Sequence, residues 1–129
     1  MASPLIYPST LTNVGTVTVP FYIGPEAAGV LINVSYTAEG GAGSTLDGKV
    51  QVWDASEQAW DDLLDSAGTA IGFAQFTGIS EDSLTIYPGL VEKLTGTNRH
   101  YNSPLPAPVR LSFTVGTTSV TFAVSIAEL

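Results

Sequence analysis

The sequence contains no cysteine, and this absence limits the chemistry that is open to the chain. Without cysteine there is no disulfide framework, and no thiolate exists to bind zinc, to hold an iron–sulfur cluster or to act as a nucleophile. A chain of 129 residues has the length of one domain, which buries roughly two-thirds of its unfolded surface. We therefore expect a single domain with a hydrophobic core that folds without covalent cross-links in a reducing compartment.

Positively charged residues are scarce. The chain has four lysine and arginine residues against twelve aspartate and glutamate residues, so its formal net charge is −8. Such a charge repels a phosphate backbone, which excludes nucleic acid as a partner. Charged residues make up only 12% of the chain, about half the share in an average globular domain. A polar but uncharged surface of this kind is typical of all-β proteins and of proteins that assemble.

Long apolar runs are also missing. No stretch approaches the ~20 apolar residues of a membrane span, and the first residues, "MASPLIYPSTL", have no basic region and are interrupted by Pro4 and Pro8. We therefore expect neither a classical export signal nor a membrane-embedded segment. Because proline also prevents a helix here, we predict an extended N-terminal arm at residues 1–13 and a β-sandwich domain at residues 14–129.

What the sequence does have is period-two alternation of apolar and polar residues, the pattern of half-buried strands. It is clear in "TVTVPFYI", "VLINVSYT" and "SLTIYPG". Several such segments at short spacing predict an all-β fold, an antiparallel β-sandwich. Pro20 cannot donate a ladder hydrogen bond, so its strand should lie at an edge or a bulge. The predicted core contains Val34, Ile86, Leu111, Phe113, Phe122 and Val124.

The two C-terminal segments alternate most regularly. They span residues 109–115 and 120–126, and only a short "GTTS" break separates them, so we predict a β-hairpin. Two other segments are irregular. The glycine-rich residues 39–48 are predicted to form a mobile connector, and the long stretch at residues 89–108 is a candidate contact surface.

The stretch at residues 52–66, "VWDASEQAWDDLLDS", holds both tryptophans and many of the carboxylates. As a helix it would place Trp53, Trp60 and Leu64 on one face. As a hairpin with its turn at Ser56 and Glu57, it would set Trp53 directly opposite Trp60. The neighbouring segments are strands, which favours the hairpin, and the short helix stays open as the alternative.

The hairpin interpretation adds two expectations about side chains. A bulge near Asp61 and Asp62 would let both Trp60 and Leu63 point inward. The carboxylates of this stretch are ligands that calcium accepts, but their spacing is not that of a calcium-binding loop. We therefore expect a solvated acidic face and no metal site.

Catalytic patterns are weak. His100 is the only histidine, and no nucleophile motif accompanies it. Glu81 and Asp82 are adjacent in a polar turn, where two carboxylates rarely point into one cleft. The sequence therefore predicts neither an enzyme nor a cofactor.

The order of the motifs resembles that of small tailed-phage virion proteins. The motifs are "VLINVSYT", Trp60 with Leu63 and Leu64, "LTIYPGL", "LPAPVRLSFTV" and "SVTFAVSIAEL", and the resemblance covers residues 14–129. Its most specific part is "YPGL", followed by a proline-led strand and a closing "VTF" strand. Such proteins are similar to head decoration, or cement, proteins. The resemblance implies a β-sandwich on the outer surface of the virion, made in the host cytoplasm, with the major capsid protein as its partner and commonly a trimer.

Two other functions stay open. One is a carbohydrate-binding sandwich, in which Trp53, Trp60, Tyr36 or Tyr87 would stack on sugars. Tryptophans packed in the core would favour the structural protein, whereas a solvent-facing aromatic platform would favour sugar binding. The other is a head–tail or tail component of the same virion.

A capsid or oligomer interface is predicted in the parts of the chain that are least acidic. We expect the carboxylates of residues 54–65 to face solvent, and the N-terminal arm and residues 93–108 to face the shell. The predicted interface residues are Leu5, Ile6, Tyr7, Lys93, Arg99, His100 and Tyr101.

Overall fold

A computed structural model describes residues 5–22, 29–54, 57–64, 68–87, 99–102 and 108–129. These described residues form nine strands, which are β1 (Leu5–Thr12), β2 (Gly15–Phe21), β3 (Val30–Glu39), β4 (Thr45–Asp54), β5 (Ala59–Asp62), β6 (Ser80–Tyr87), β7 (Arg99–Asn102), β8 (Val109–Gly116) and β9 (Val120–Glu128). Within the described residues, no helix is long and apolar enough to cross a membrane.

The strands form two sheets that pack face to face. Sheet A has five strands in the order β1-β9-β3-β6-β7, and sheet B has four in the order β2-β8-β4-β5. Every pairing is antiparallel except β6 with β7, which is parallel. The predicted all-β class and β-sandwich architecture are confirmed.

The core lies between the two sheets and is built from the inward rows of alternating strands. The rings of Phe113 on β8 and Phe122 on β9 meet across it with centroids 5.0 Å apart. All six side chains that the alternation assigned to the core are fully buried, namely Val34, Ile86, Leu111, Phe113, Phe122 and Val124. The period-two pattern therefore identified the buried faces of β3, β6, β8 and β9 correctly.

Two edge strands carry proline. Among the described strands β2 pairs only with β8, and Pro20 lies exposed on it, as predicted for a residue that cannot donate a ladder bond. β1 is extended, as predicted for the N-terminal arm, and it pairs with β9 with register shifts on either side of Tyr7. The Tyr7 ring stacks on Phe122 at 4.8 Å. Residues 5–12 are therefore packed onto the sandwich.

The predicted C-terminal hairpin is wrong, although both of its strands exist. β8 lies in sheet B between β2 and β4, whereas β9 lies in sheet A between β1 and β3. Residues 117–119 carry the chain across the core from one sheet to the other. Alternation shows which face of a strand is buried, but it does not show whether two buried faces lie side by side in one sheet or oppose each other across a core.

Four connections cross between the sheets at the same end of the sandwich, and we call this surface the crossing end. It consists of residues 13–14, 40–44, 77–79 and 117–119. Residues 39–48 are therefore not a mobile connector, because Thr45 already belongs to β4 and the remaining loop is tied down. The Gly40 amide donates to the Ser119 carbonyl at 2.6 Å. The buried Ser44 hydroxyl donates to the Gly41 carbonyl at 2.9 Å and also bonds Thr118.

Beyond β5 the chain extends the edge of sheet B. Residues 70–76 run beside β4, where the Phe73 amide donates to the Gly48 carbonyl at 2.9 Å and Leu46 and Phe76 exchange two backbone bonds. The contact is close because Gly72 has no side chain, since a Cβ there would lie 2.3 Å from the Gly48 oxygen. Of the long segment at 89–108, the described part includes β7, so this stretch is not wholly irregular.

Candidate functional site

The β4–β5 hairpin confirms one of the two sequence interpretations of residues 52–66. Trp53 pairs with Trp60 across the strands, and their rings meet edge to face with centroids 5.6 Å apart. Such aromatic pairs contribute ~0.5–1.5 kcal/mol beyond their area burial. The alternative, a short helix, is wrong.

The expected bulge near Asp61 is also wrong. The register runs without interruption from Trp53 with Trp60 to Gln51 with Asp62, so successive residues of β5 alternate faces. Leu63 points inward and is buried, while Trp60 points outward and is only half-buried. Asp61 shares the inward side with Val52, but it lies near the hairpin tip, where its carboxylate stays partly exposed.

The outer face of sheet B carries a connected set of polar and aromatic side chains. Asp62 accepts hydrogen bonds from Lys49 Nζ and Gln51 Nε2, both at 3.0 Å. Arg110 Nε donates to Gln51 Oε1 at 2.9 Å, and its guanidinium carbon lies 4.2 Å from the centre of the Trp60 ring. The Gln51 amide, together with Lys49, holds the pKa of Asp62 below its ordinary value. The tryptophans are therefore neither core residues nor an open platform.

A groove of about 360 Å³ lies on this same outer face. Its lining includes Asp47 and Lys49 from β4, Ser112 and Thr114 from β8, and Phe73 from the neighbouring segment. Register places Lys49 directly opposite Ser112 and Asp47 opposite Thr114. The volume is at the small end of ligand pockets, which span ~300–1,000 Å³.

Three carboxylates converge at the hairpin tip, which we call the acidic tip. Carboxylate oxygens of Asp54, Glu57 and Asp61 lie within 4.8 Å of one another. A hydrogen bond with Asp54 and the negative charges of Asp61 and Asp54 raise the pKa of Glu57. The cluster is partly to fully exposed, and exposed acidic groups of this kind are common without a bound ion.

The crossing end lies at the other end of the sandwich from the acidic tip. β4 connects the two, because it starts beside Gly116 at the crossing end and finishes at Asp54. No residue of the four crossing connections is charged, but the exposed Glu39 carboxylate at the end of β3 borders them, since its Oε1 lies 3.6 Å from the position a Cβ would take on Gly78. Two apolar side chains are nevertheless exposed there, Val14 and Ile79, and the latter has 72% of its surface exposed.

The predicted interface residues fall into separate places. Leu5, Ile6 and Tyr7 lie on β1, and Arg99, His100 and Tyr101 lie on β7. These strands are the two opposite edges of sheet A, about 19 Å apart at the usual strand spacing. They cannot form one compact patch. Ile6 and Tyr7 pack against the core, and Lys93 lies outside the described residues.

Reasoning from the sequence missed both the groove and the crossing end. A signal for the crossing end was present, because "GGAGS", "TGI" and "TTS" are uncharged breaks in a chain with many carboxylates. The sequence does not show that these breaks lie close together, because their positions depend on which strands belong to which sheet. The groove depends on the close approach of residues 70–76 to β4, and it left no sequence signal.

Comparison with known proteins does not assign a function to these surfaces. No protein-family model matches the chain, and a search of curated proteins finds no significant match.

Proposed function

We propose that the protein is a virion structural protein that binds the outer surface of a phage capsid and stabilises it, as a decoration protein does. The proposal depends on one observation, the uneven distribution of charge over the surface. The four connections of the crossing end carry no charge and expose apolar side chains, whereas carboxylates gather at the acidic tip at the other end. The strand motifs resemble those of small virion proteins, and this resemblance supports the major capsid protein as the partner.

The division of charge favours one orientation on the shell. Burying an apolar side chain contributes roughly 1.5–3 kcal/mol, whereas burying an unpaired carboxylate costs free energy. The crossing end is therefore the better contact with the shell, and the acidic tip is better left in solvent. Exposed like charges on neighbouring copies are also screened beyond ~8 Å at physiological salt.

The predicted interface residues take a second role in this arrangement. β1 and β7 run along the two flanks of sheet A, where neighbouring copies would meet. We propose that these flanks supply contacts between neighbouring copies, or with the shell beside the crossing end. The residues concerned are Leu5, Arg99, His100 and Tyr101. Deletion of the N-terminal arm would not test this role cleanly, because Tyr7 is packed on Phe122.

Binding to bare capsids tests the proposal. Ile79→Asp places a charge in the proposed contact, and Tyr22→Asp places the same charge on an equally exposed side chain outside it, since the two are 72% and 70% exposed. Co-sedimentation with capsids of the phage that encodes the protein should show about a tenfold or greater loss of affinity for Ile79→Asp. Tyr22→Asp should bind like the unaltered protein. Equal binding by both variants contradicts the proposed contact, and no binding by the unaltered protein contradicts the function.

A second candidate function, saccharide binding, is favoured by the polar groove on the outer face of sheet B, the face that also carries the two tryptophans. Both lie on the outer face of sheet B and neither joins the core cluster. Arg110 already covers the Trp60 ring, so a sugar could stack there only by displacing the guanidinium. Saccharide binding would therefore rely mainly on polar groups of the same face.

A further inference from the structure

The groove on the outer face of sheet B contains a buried hydroxyl that the fold itself does not use. Ser112 is only 6% exposed, and it lines the groove. Among the described residues, none is hydrogen-bonded to the Ser112 side chain. Buried polar groups in proteins are nearly always hydrogen-bonded, so a hydroxyl of this kind indicates a missing partner such as water or a ligand.

The groups around Ser112 offer both donors and acceptors. Lys49 supplies an ammonium group and Thr114 a second hydroxyl. Asp47 supplies a carboxylate, which the Gln75 amide approaches at 3.1 Å from each oxygen. Phe73 adds an aromatic ring to the wall. A ligand that matches this set has many hydroxyl groups and an apolar side, and these are the features of a sugar ring.

The charges of the groove favour a neutral ligand over an anion. Asp47 and Lys49 balance each other, and Lys49 is already paired with Asp62 at 3.0 Å. Arg110, the next cation on this face, is engaged by Gln51 and by the Trp60 ring. A phosphate or a sulfated sugar would therefore meet no excess positive charge.

The polar face continues from the groove toward the tryptophans. Outward side chains of β4 follow one another from Asp47 through Lys49 and Gln51 to Trp53, a span of about 20 Å at the usual rise of a strand. We propose that this groove is a binding subsite for a neutral oligosaccharide, with Ser112 and Thr114 hydrogen-bonding its hydroxyl groups. The proposal rests on the second candidate function above and does not depend on binding to the shell.

Amide chemical shifts of the folded protein, measured during titration with neutral oligosaccharides, test the subsite. Cellopentaose, maltopentaose, mannopentaose and chitopentaose serve as neutral probes, and tetragalacturonate serves as the anionic one. At least one neutral probe at ~10 mM should shift the amides of Lys49, Gly72, Ser112 and Thr114, because this concentration fills most of a site whose Kd is ~1 mM.

Two variants assign the contact to the groove. Ser112→Ala removes a hydroxyl that no described residue uses, so the fold should be retained while the affinity for the probe falls about 2- to 10-fold. Thr114→Val alters an exposed position and should weaken binding similarly. Ser125→Ala, on the outer face of sheet A, is the matched control and should bind like the unaltered protein.

The possible outcomes distinguish a failure of the proposed groove subsite from a failure of saccharide binding as a function. Binding with unchanged affinity in both groove variants, or shifts confined to other amides, overturns the subsite while saccharide binding stands. If no probe shifts any amide, saccharide binding itself fails. Tighter binding of tetragalacturonate than of every neutral probe overturns the choice of a neutral ligand. Capsid binding by Ser112→Ala should be unchanged in every case.

Discussion

Phe113 contacts both layers of the sandwich. Its ring lies 5.0 Å from that of Phe122 in the opposite sheet, and a Cβ built on Gly48 would come within 2.7 Å of it. We expect Phe113→Ala to lower the free energy of unfolding by about 3–5 kcal/mol, because the cavity would be bordered by two strands that cannot collapse into it. Urea denaturation measures the change. Phe113→Leu should cost clearly less, and a loss below about 1 kcal/mol for the alanine variant would contradict this packing.

Gly72 is a position where the backbone approaches another strand too closely for a side chain. A Cβ there would lie 2.3 Å from the Gly48 oxygen and 2.8 Å from the Lys49 Cα, both backbone atoms. Gly72→Ala should therefore destabilise the protein by about 1–3 kcal/mol, the usual cost of overpacking. Gly78→Ala is the control, because the nearest atom to its new Cβ would be Glu39 Oε1 at 3.6 Å, the end of a flexible side chain. Equal thermal unfolding temperatures for the two variants would show that residues 70–76 do not pack as described.

At the scale of elements, the β4–β5 hairpin links stability to pH through Asp62. Its folded-state pKa is lowered by hydrogen bonds from Gln51 and Lys49 and by the Lys49 charge. The ionised carboxylate therefore stabilises the folded state above its ordinary pKa, near 3.8, and this contribution is lost as the pH falls through the lowered folded value. Asp62→Asn should be less stable than the unaltered protein at neutral pH.

Measuring the stability of both proteins over a range of pH tests this role of Asp62. The difference in urea midpoint between Asp62→Asn and the unaltered protein should shrink as the pH is lowered from neutrality to below the ordinary pKa of aspartate. A difference that is constant across this range would mean that the Asp62 contacts do not favour the charged form.

The strand pairings show which parts of the fold could be predicted from the sequence. The Trp53–Trp60 pairing was predictable, because a turn between two alternating segments leaves few registers. The pairing of β8 with β9 was not, because the same alternation fits a hairpin and a crossing between sheets. The short break between these strands favoured the hairpin, but β9 instead pairs with β1 and β3.

The candidate sites were predictable only where they depend on local sequence. The acidic tip lies within one hairpin, and its carboxylates were visible as a cluster in residues 52–66. The crossing end gathers four separate connections, and the groove needs Ser112 from β8 beside residues of β4 and of the 70–76 segment. Contacts between residues so distant in sequence follow from the strand order, which the alternation does not encode.

At the scale of the whole molecule, the crossing end is small for a stable contact. Four adjacent connections across a sandwich of two sheets cover roughly 19 Å by 10 Å in projection. This is far less than the ~800 Å² per partner of a standard protein interface. A single copy should therefore bind the shell weakly, and several linked copies would bind much more tightly through avidity.

Because one crossing end is too small for a stable contact, we expect the protein to self-associate, as a trimer. Sedimentation equilibrium at micromolar concentration, alone and with capsids present, should show a species three times the 13.4 kDa chain mass. Only monomer under both conditions would remove the claim. Charge reversal at the acidic tip, with Glu57→Lys, should leave the association unchanged if the tip faces solvent.

Electron cryomicroscopy of capsids mixed with the purified protein tests the central claim most directly. We expect density for the sandwich on the outer surface of the shell, with residues 77–79 and 117–119 toward the capsid and the acidic tip pointing into solvent. Capsids that stay bare, density confined to the tail or the head–tail junction, or a sandwich docked with its acidic tip on the shell would contradict it.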